Sequence, residues 1–206
     1  MKKATILLMG LFLAMSLTAC GKKDETQNGG TQETGTEQTG TDQTQTEESG
    51  AESDIYKDAS MEDLKAAVVE VLGENYWPNT AVEAEMFSDM TGITADMYDE
   101  YFAEMPMISA NVDTMIIVKA KADQVAVVEE ALNAYRDKLV NDTLQYPMNI
   151  GKIQASRIET YGNYVCFVQL GADVSAALDQ GDDAVITQCQ EENEKALDAI
   201  RTALLK

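Results

Sequence analysis

The sequence predicts an α+β fold: an antiparallel sheet with helices packed on one face, in the order α-β-β-α-β-β-α. Three observations carry this. Apolar stripes with helical period stand near residues 60, 125 and 185. Two pairs of β-branched or aromatic runs lie between them. The second pair is split by Gly162-Asn163, a dipeptide suited to a two-residue hairpin turn.

"SMEDLKAAVVEVLGENYW" opens the first helix. Ser60 is its N-cap, Asp63 completes a capping-box pattern, and Met61, Leu64, Val68, Val71 and Leu72 share one face, with Gly73 closing it. A Met- and aromatic-rich passage follows from Tyr76 to Met107, with a short helix expected around Ala95 to Phe102. "VDTMIIVKAK", Val112 to Lys121, reads as a well-covered strand, and "MPMISA" just before it as its partner. The longest helix is expected from Asp123 to about Leu144, on a stripe of Val125, Val128, Leu132, Tyr135 and Leu139. Strands at Ser156 to Tyr161 and Tyr164 to Leu170 form the hairpin. A last helix spans Asp183 to Leu205, its inner face including Ile186, Cys189, Leu197, Ile200 and Leu204.

This single domain, residues 55–206, is preceded by two segments of different composition. Residues 1–19 begin with Lys2 and Lys3, run without charge from Ala4 to Leu17 and end in small residues, the three regions of a secretory signal. The apolar core is shorter than the roughly 18 residues a membrane-spanning helix needs. Leu17-Thr18-Ala19-Cys20 resembles the lipobox of bacterial lipoproteins, where a thiol takes a diacylglyceryl group and cleavage leaves Cys20 as the N-terminus. Two acyl chains, palmitate-type, hold a protein on a membrane stably where one holds it marginally. Residues 20–54 then form a tether. Thr31 to Gly50 reads as imperfect pentads (TQETG, TEQTG, TDQTQ, TEESG) without large apolar side chains, so the segment is expected to be disordered. Its reach is about 30–35 Å for a flexible chain.

Of 206 residues 45% are hydrophobic, and the formal charge is −21. Loss of Lys2 and Lys3 leaves 13 basic residues against 36 acidic, or −23. Such a surface repels nucleic acid. The expected location is the extracytoplasmic face of the cell membrane, within the cell envelope, with the lipid on Cys20 as the membrane contact.

"ANVDTMIIVKAK" at 110–121, the helix ending "AYRDKL", Tyr146-Pro147 and "YGNYVCFVQLG" at 161–171 occur in an order that, with the lipobox, resembles a known group. These are the lipoproteins of Gram-positive, clostridia-like bacteria grouped as the domain of unknown function 4358 family. The resemblance covers about 130 residues. It implies an exported lipoprotein with the strand-helix-hairpin order, and it implies no activity and no catalytic residue.

The chain contains no histidine. That removes Ser-His and Cys-His hydrolase arrangements and histidine zinc sites, and no phosphate-binding glycine loop is present. The protein is therefore read as not an enzyme and as needing no cofactor. Asp179, Asp182 and Asp183 in "LDQGDDAV" are the acidic cluster best suited to calcium, though the spacing departs from the EF-hand and helix capping explains Asp182 or Asp183 equally well. Cys166 and Cys189 read as small buried hydrophobes, with a disulfide between them as the alternative. Tyr76, Trp77, Phe87, Tyr98, Tyr101 and Phe102 either complete the core or line a groove for a ligand. Trp77, with Tyr76 beside it, is the strongest candidate for the groove, because Pro78 breaks helical geometry there. The function expected is that of a membrane-anchored module binding a protein or small ligand. A cell-envelope hydrolase using paired carboxylates is the alternative.

Overall fold

Ser60 starts the first helix as its residue type dictates. In the computed structural model, which describes residues 55–108, 110–142 and 144–205, helix α1 is Met61–Leu72. The Ser60 hydroxyl oxygen accepts from the Asp63 amide at 3.1 Å and donates to its carboxylate at 2.8 Å, satisfying one of the helix's unpaired first-turn amides. Met61, Leu64, Val68 and Leu72 are buried, whereas Val71, expected among them, is exposed at the margin of the stripe. The leader at 1–19, the tether at 20–54 and Cys20 lie outside the described residues.

The sheet has five strands: β1 (Thr80–Ala81), β2 (Tyr98–Met105), β3 (Thr114–Ala120), β4 (Arg157–Tyr161) and β5 (Tyr164–Gln169). Their order is β1-β2-β3-β5-β4, antiparallel throughout. The fold is thus α+β, as expected, with two corrections to its elements. The passage read as a helix around Ala95 to Phe102 is strand β2, and β2, rather than "MPMISA", pairs with β3. The reason is a bulge between Tyr98 and Glu100. It inserts a residue, so Tyr98 and Tyr101 pack in the same cluster three residues apart and mimic a helical stripe. Residues after Met105 leave the sheet and form a loop.

Helices cover both faces, which corrects the expectation of one. On one face Met115, Ile117, Cys166 and Val168 pack against α1 and against α6 (Asp182–Leu205) through Leu64, Val68, Leu197 and Ile200. On the other, Ile116, Val118, Val165 and Phe167 meet α2 (Ala84–Thr91) and α3 (Val125–Asn141) through Phe87, Val128 and Leu132. Alternate side chains of a strand point to opposite faces. A strand apolar at nearly every position must therefore be covered twice, and Thr114–Ala120 is buried at six of its seven positions. Each fully buried Leu, Ile, Val or Phe contributes about 1.5–3 kcal/mol, so the two layers hold the sheet between them.

The order α-β-β-α-β-β-α is also incomplete. Short strand β1, helix α2, α4 (Pro147–Ala155) and α5 (Ser175–Leu178) add to it. Helix α4 starts on Pro147, a residue pre-set for the first helical position. It buries Asn149, Lys152, Ile153 and Ala155 together, a mixed set that leaves no apolar stripe in the sequence. The hairpin turn is as predicted: Tyr161 pairs with Tyr164, and Gly162 has φ +61° while Asn163 does not share the positive sign, the pattern of a II′ turn. All described residues fall in one compact unit, Gly50–Lys206. Among them no helix is long and apolar enough to cross a membrane.

Candidate functional site

At one end of the sheet, β2 and β5 finish where β3 begins: Glu104 pairs with Met115, and Thr114 with Gln169. Four connecting segments meet there. They are Tyr76–Asn79 before β1, Pro106–Asp113 between β2 and β3, the start of α4, and Gly171–Ser175 after β5.

A buried ion pair ties them together. Lys152 of α4 is 3% exposed and Asp113, one residue before β3, is 0% exposed. The Lys152 Nζ donates to Asp113 Oδ1 at 2.6 Å, to the Ala172 carbonyl at 2.6 Å and to Asn111 Oδ1 at 3.2 Å, which uses its three protons. Asp113 Oδ2 accepts from the Gly171 and Ala172 amides at 3.2 and 2.9 Å. Burial pushes the Asp113 carboxyl above its ordinary range, opposed by the Lys152 charge and those two amides. Ala172 holds a left-handed backbone, φ +49°, a conformation costing a non-glycine residue about 1–2 kcal/mol. That geometry lets one residue present both its amide and its carbonyl to the pair.

Helix α6 backs this network. Asn193, fully buried, accepts from the Leu170 amide at 2.8 Å and donates to the Ala155 carbonyl at 2.8 Å, fixing the ends of β5 and α4. Gly171 lies so close to α6 that a Cβ there would stand 2.5 Å from Cys189 Sγ and 3.3 Å from Lys152 Cγ. Only glycine fits.

Next to Trp77 and Asn111, both in contact with Lys152, the surface opens into a groove of about 880 Å³. Tyr76, Trp77, Pro106, Met107, Ile108 and Met148 give it apolar walls, and Asn79 and Asn111 are its polar members. A smaller recess of about 150 Å³ adjoins it, sharing Trp77, Asn111 and Met148 and extending to Lys152, Asp173 and Ser175. Trp77 borders both. Its ring lies 5.0 Å from Lys152 Nζ, within cation–π range, yet it remains 36% exposed. Met107 and Ile108 are 80% and 72% exposed. Tyr76 contributes its ring but not a free hydroxyl, which donates to Glu104 Oε2 at 2.8 Å while Lys65 holds Oε1 at 2.5 Å. Burial, and then the Glu104 carboxylate, push the Tyr76 phenol far above its ordinary range.

Residues 72–170 match the family model described as Domain of unknown function (DUF4358). The matched span takes in Tyr76, Trp77, Asn79, Asn111, Asp113 and Lys152, and stops one residue before Gly171, so the ion pair lies within it and the Gly171–Ala172 cradle just beyond. No curated protein and no solved structure matches the chain.

The other expected sites fall elsewhere. Asp179, Asp182 and Asp183 are exposed around the start of α6 and line neither the groove nor its recess, and among the described residues no three His, Cys, Asp or Glu side chains are arranged to hold a metal ion. Cys166 and Cys189 are free and buried. Burial pushes the Cys189 thiol up to about 12 and Cys166 higher still. Of the other aromatics, Phe87, Tyr98 and Tyr101 join the core beneath α2, with Phe87 and Tyr101 stacked 4.4 Å apart. Sequence reasoning missed Asp113, Lys152 and Asn111. The available signal was slight: a single acid opening an apolar strand, and a single lysine between Gly151 and Ile153.

Proposed function

We propose that the protein is an extracytoplasmic lipoprotein, anchored through lipid on Cys20, whose DUF4358 domain binds a partner or ligand in the Trp77 groove. One observation carries the reading: Trp77, Met107 and Ile108 stay exposed along a formed groove, two of whose lining residues, Trp77 and Asn111, are held by the lysine of a buried ion pair. Clustered apolar side chains kept in water mark binding surfaces, and lining residues held in place lower the ordering cost of binding. The leader and Leu17-Thr18-Ala19-Cys20 support the anchor. Paired-carboxylate hydrolysis has less support. The groove's lining carries no acid, and Glu104 and Asp113 beside it are both held by lysines.

The test is a photo-cross-linking amino acid placed at Met107 in the complete chain on intact cells, with Val127 on α3 as the control position. The expected result is a discrete adduct from position 107 that position 127 does not give. The same adducts from both positions, or none from 107, would contradict the assignment.

A further inference from the structure

The two carboxamides of the groove are alike in how their oxygens are used. Asn79 Oδ1 accepts from the Met107 amide at 3.2 Å and the Thr80 hydroxyl at 3.0 Å. Asn111 Oδ1 accepts from the Asp113 amide at 3.1 Å and from Lys152 Nζ at 3.2 Å. Both carboxamide oxygens are therefore filled by donors, which fixes each amide's orientation and leaves its NH₂ to face away from them. Neither NH₂, nor the Trp77 indole N–H, donates to any group among the described residues. The residues lining the groove thus carry three N–H groups without a partner among the described residues, and its two carboxamide oxygens are engaged.

That combination selects a ligand. A hydrocarbon chain would fill the walls and strand all three donors. A sugar would bring hydroxyl protons to a site whose carboxamide oxygens are already taken. A proline-rich chain in the polyproline II conformation brings carbonyls with no internal partners, no amide proton at proline, and flat apolar rings to lie on Tyr76 and Trp77. Charge adds a direction. Lys152 is paired with Asp113, while Asp173, in the adjoining recess, is exposed, accepts from the Ser175 amide at 2.9 Å and makes no salt bridge among the described residues, so that Lys152 acts on it only as a nearby charge. The chain as a whole carries −21.

We infer that the groove takes a proline-rich segment of a protein partner, its carbonyls meeting Asn79, Asn111 and Trp77 and a basic residue meeting Asp173. This rests on the binding reading above and names the chemistry of the occupant.

The test is calorimetric titration of the complete chain with a decaproline peptide ending in paired arginines. A matched peptide with alternate prolines replaced by alanine and a chitin tetrasaccharide run in parallel. The proline peptide should bind saturably and the other two should not. Trp77→Phe keeps the ring and loses the N–H; Asn79→Asp keeps the accepting oxygen and loses the NH₂. Each should weaken binding about tenfold, the worth of one hydrogen-bond donor. Asp173→Asn should weaken the arginine-bearing peptide and leave plain decaproline unchanged. Failure of the proline peptide to bind, binding of the tetrasaccharide in its place, or unaltered affinity in both Trp77→Phe and Asn79→Asp would overturn the inference. If the Met107 adduct forms on cells and excess proline peptide leaves it undiminished, the occupant is wrong and the binding site stands. If no adduct forms, the binding site itself is wrong.

Discussion

Lys152→Met removes the cation from the buried pair and preserves most of its bulk. The side chain leaves behind a carboxylate with no exposure and an Ala172 carbonyl that loses its 2.6 Å donor. Stripping one partner from a buried ion pair costs about 3–5 kcal/mol, equivalent to roughly 10 °C in melting temperature for a domain this size. The sign of its pH dependence follows from the remaining acid. Burial already raises Asp113, and the largest opposing influence is Lys152; with the lysine gone the folded-state value rises further above the unfolded one, about 3.9. The folded variant then holds a proton that the unfolded chain has released, so stability falls as pH rises through the raised value and returns as pH drops. Urea unfolding of the complete chain, at pH 5 and pH 8, should show a smaller deficit at pH 5. Adding Asp113→Asn should recover more than about 1 kcal/mol of the loss, since the two side chains interact directly. A cost under about 1 kcal/mol, or one independent of pH, would refute the view that this pair ties together the segments around the groove.

Other outcomes follow from single contacts. Gly162→Val should destabilise by about 1–2 kcal/mol or more, because a branched side chain must adopt φ +61°, and unchanged urea stability would show the turn reading to be wrong. Gly171→Ala should cost about 1–3 kcal/mol by overpacking against Cys189, with Cys189→Ala restoring part of it; purely additive losses would contradict that contact. In a Cys20→Ser chain, Cys166 and Cys189 should resist a thiol reagent at pH 8 until denaturant is added, as burial holds both thiols protonated. Labelling of either at the rate of a free thiol would contradict their placement. An alkynyl palmitate fed to the producing cells should label the native chain and not Cys20→Ser, and equal labelling of both would exclude the anchor.

The parts of the fold that were legible are those where a local rule and the tertiary structure agree. The Ser60 cap, the Gly162 turn, and helices α3 and α6 are set by short-range chemistry or by a long apolar stripe. Strand β2 was misread because its bulge puts Tyr98 and Tyr101 in register at a helix-like spacing. The second helical layer was implicit in the unbroken apolar run of β3, which a one-sided sheet would not need. Helix α4 escaped because its buried side includes Asn149 and Lys152, which earn their burial from partners 39 and 41 residues distant. No local pattern encodes such pairs. The site was legible in the same proportion: Pro78 pointed to Trp77, whereas the ion pair beside it exists only once four separate segments have come together.

The central claim is that binding occurs around Trp77, the chain's one tryptophan, and acrylamide quenching of its fluorescence tests this most directly. The complete chain would be measured alone and on cell envelopes from cells that lack it. The account predicts ready quenching in the free protein, whose indole is partly exposed, and marked shielding with a blue-shifted emission on the envelopes. Equal quenching in both conditions, with the protein bound to the envelopes, would mean that the groove stays empty there and would contradict the account.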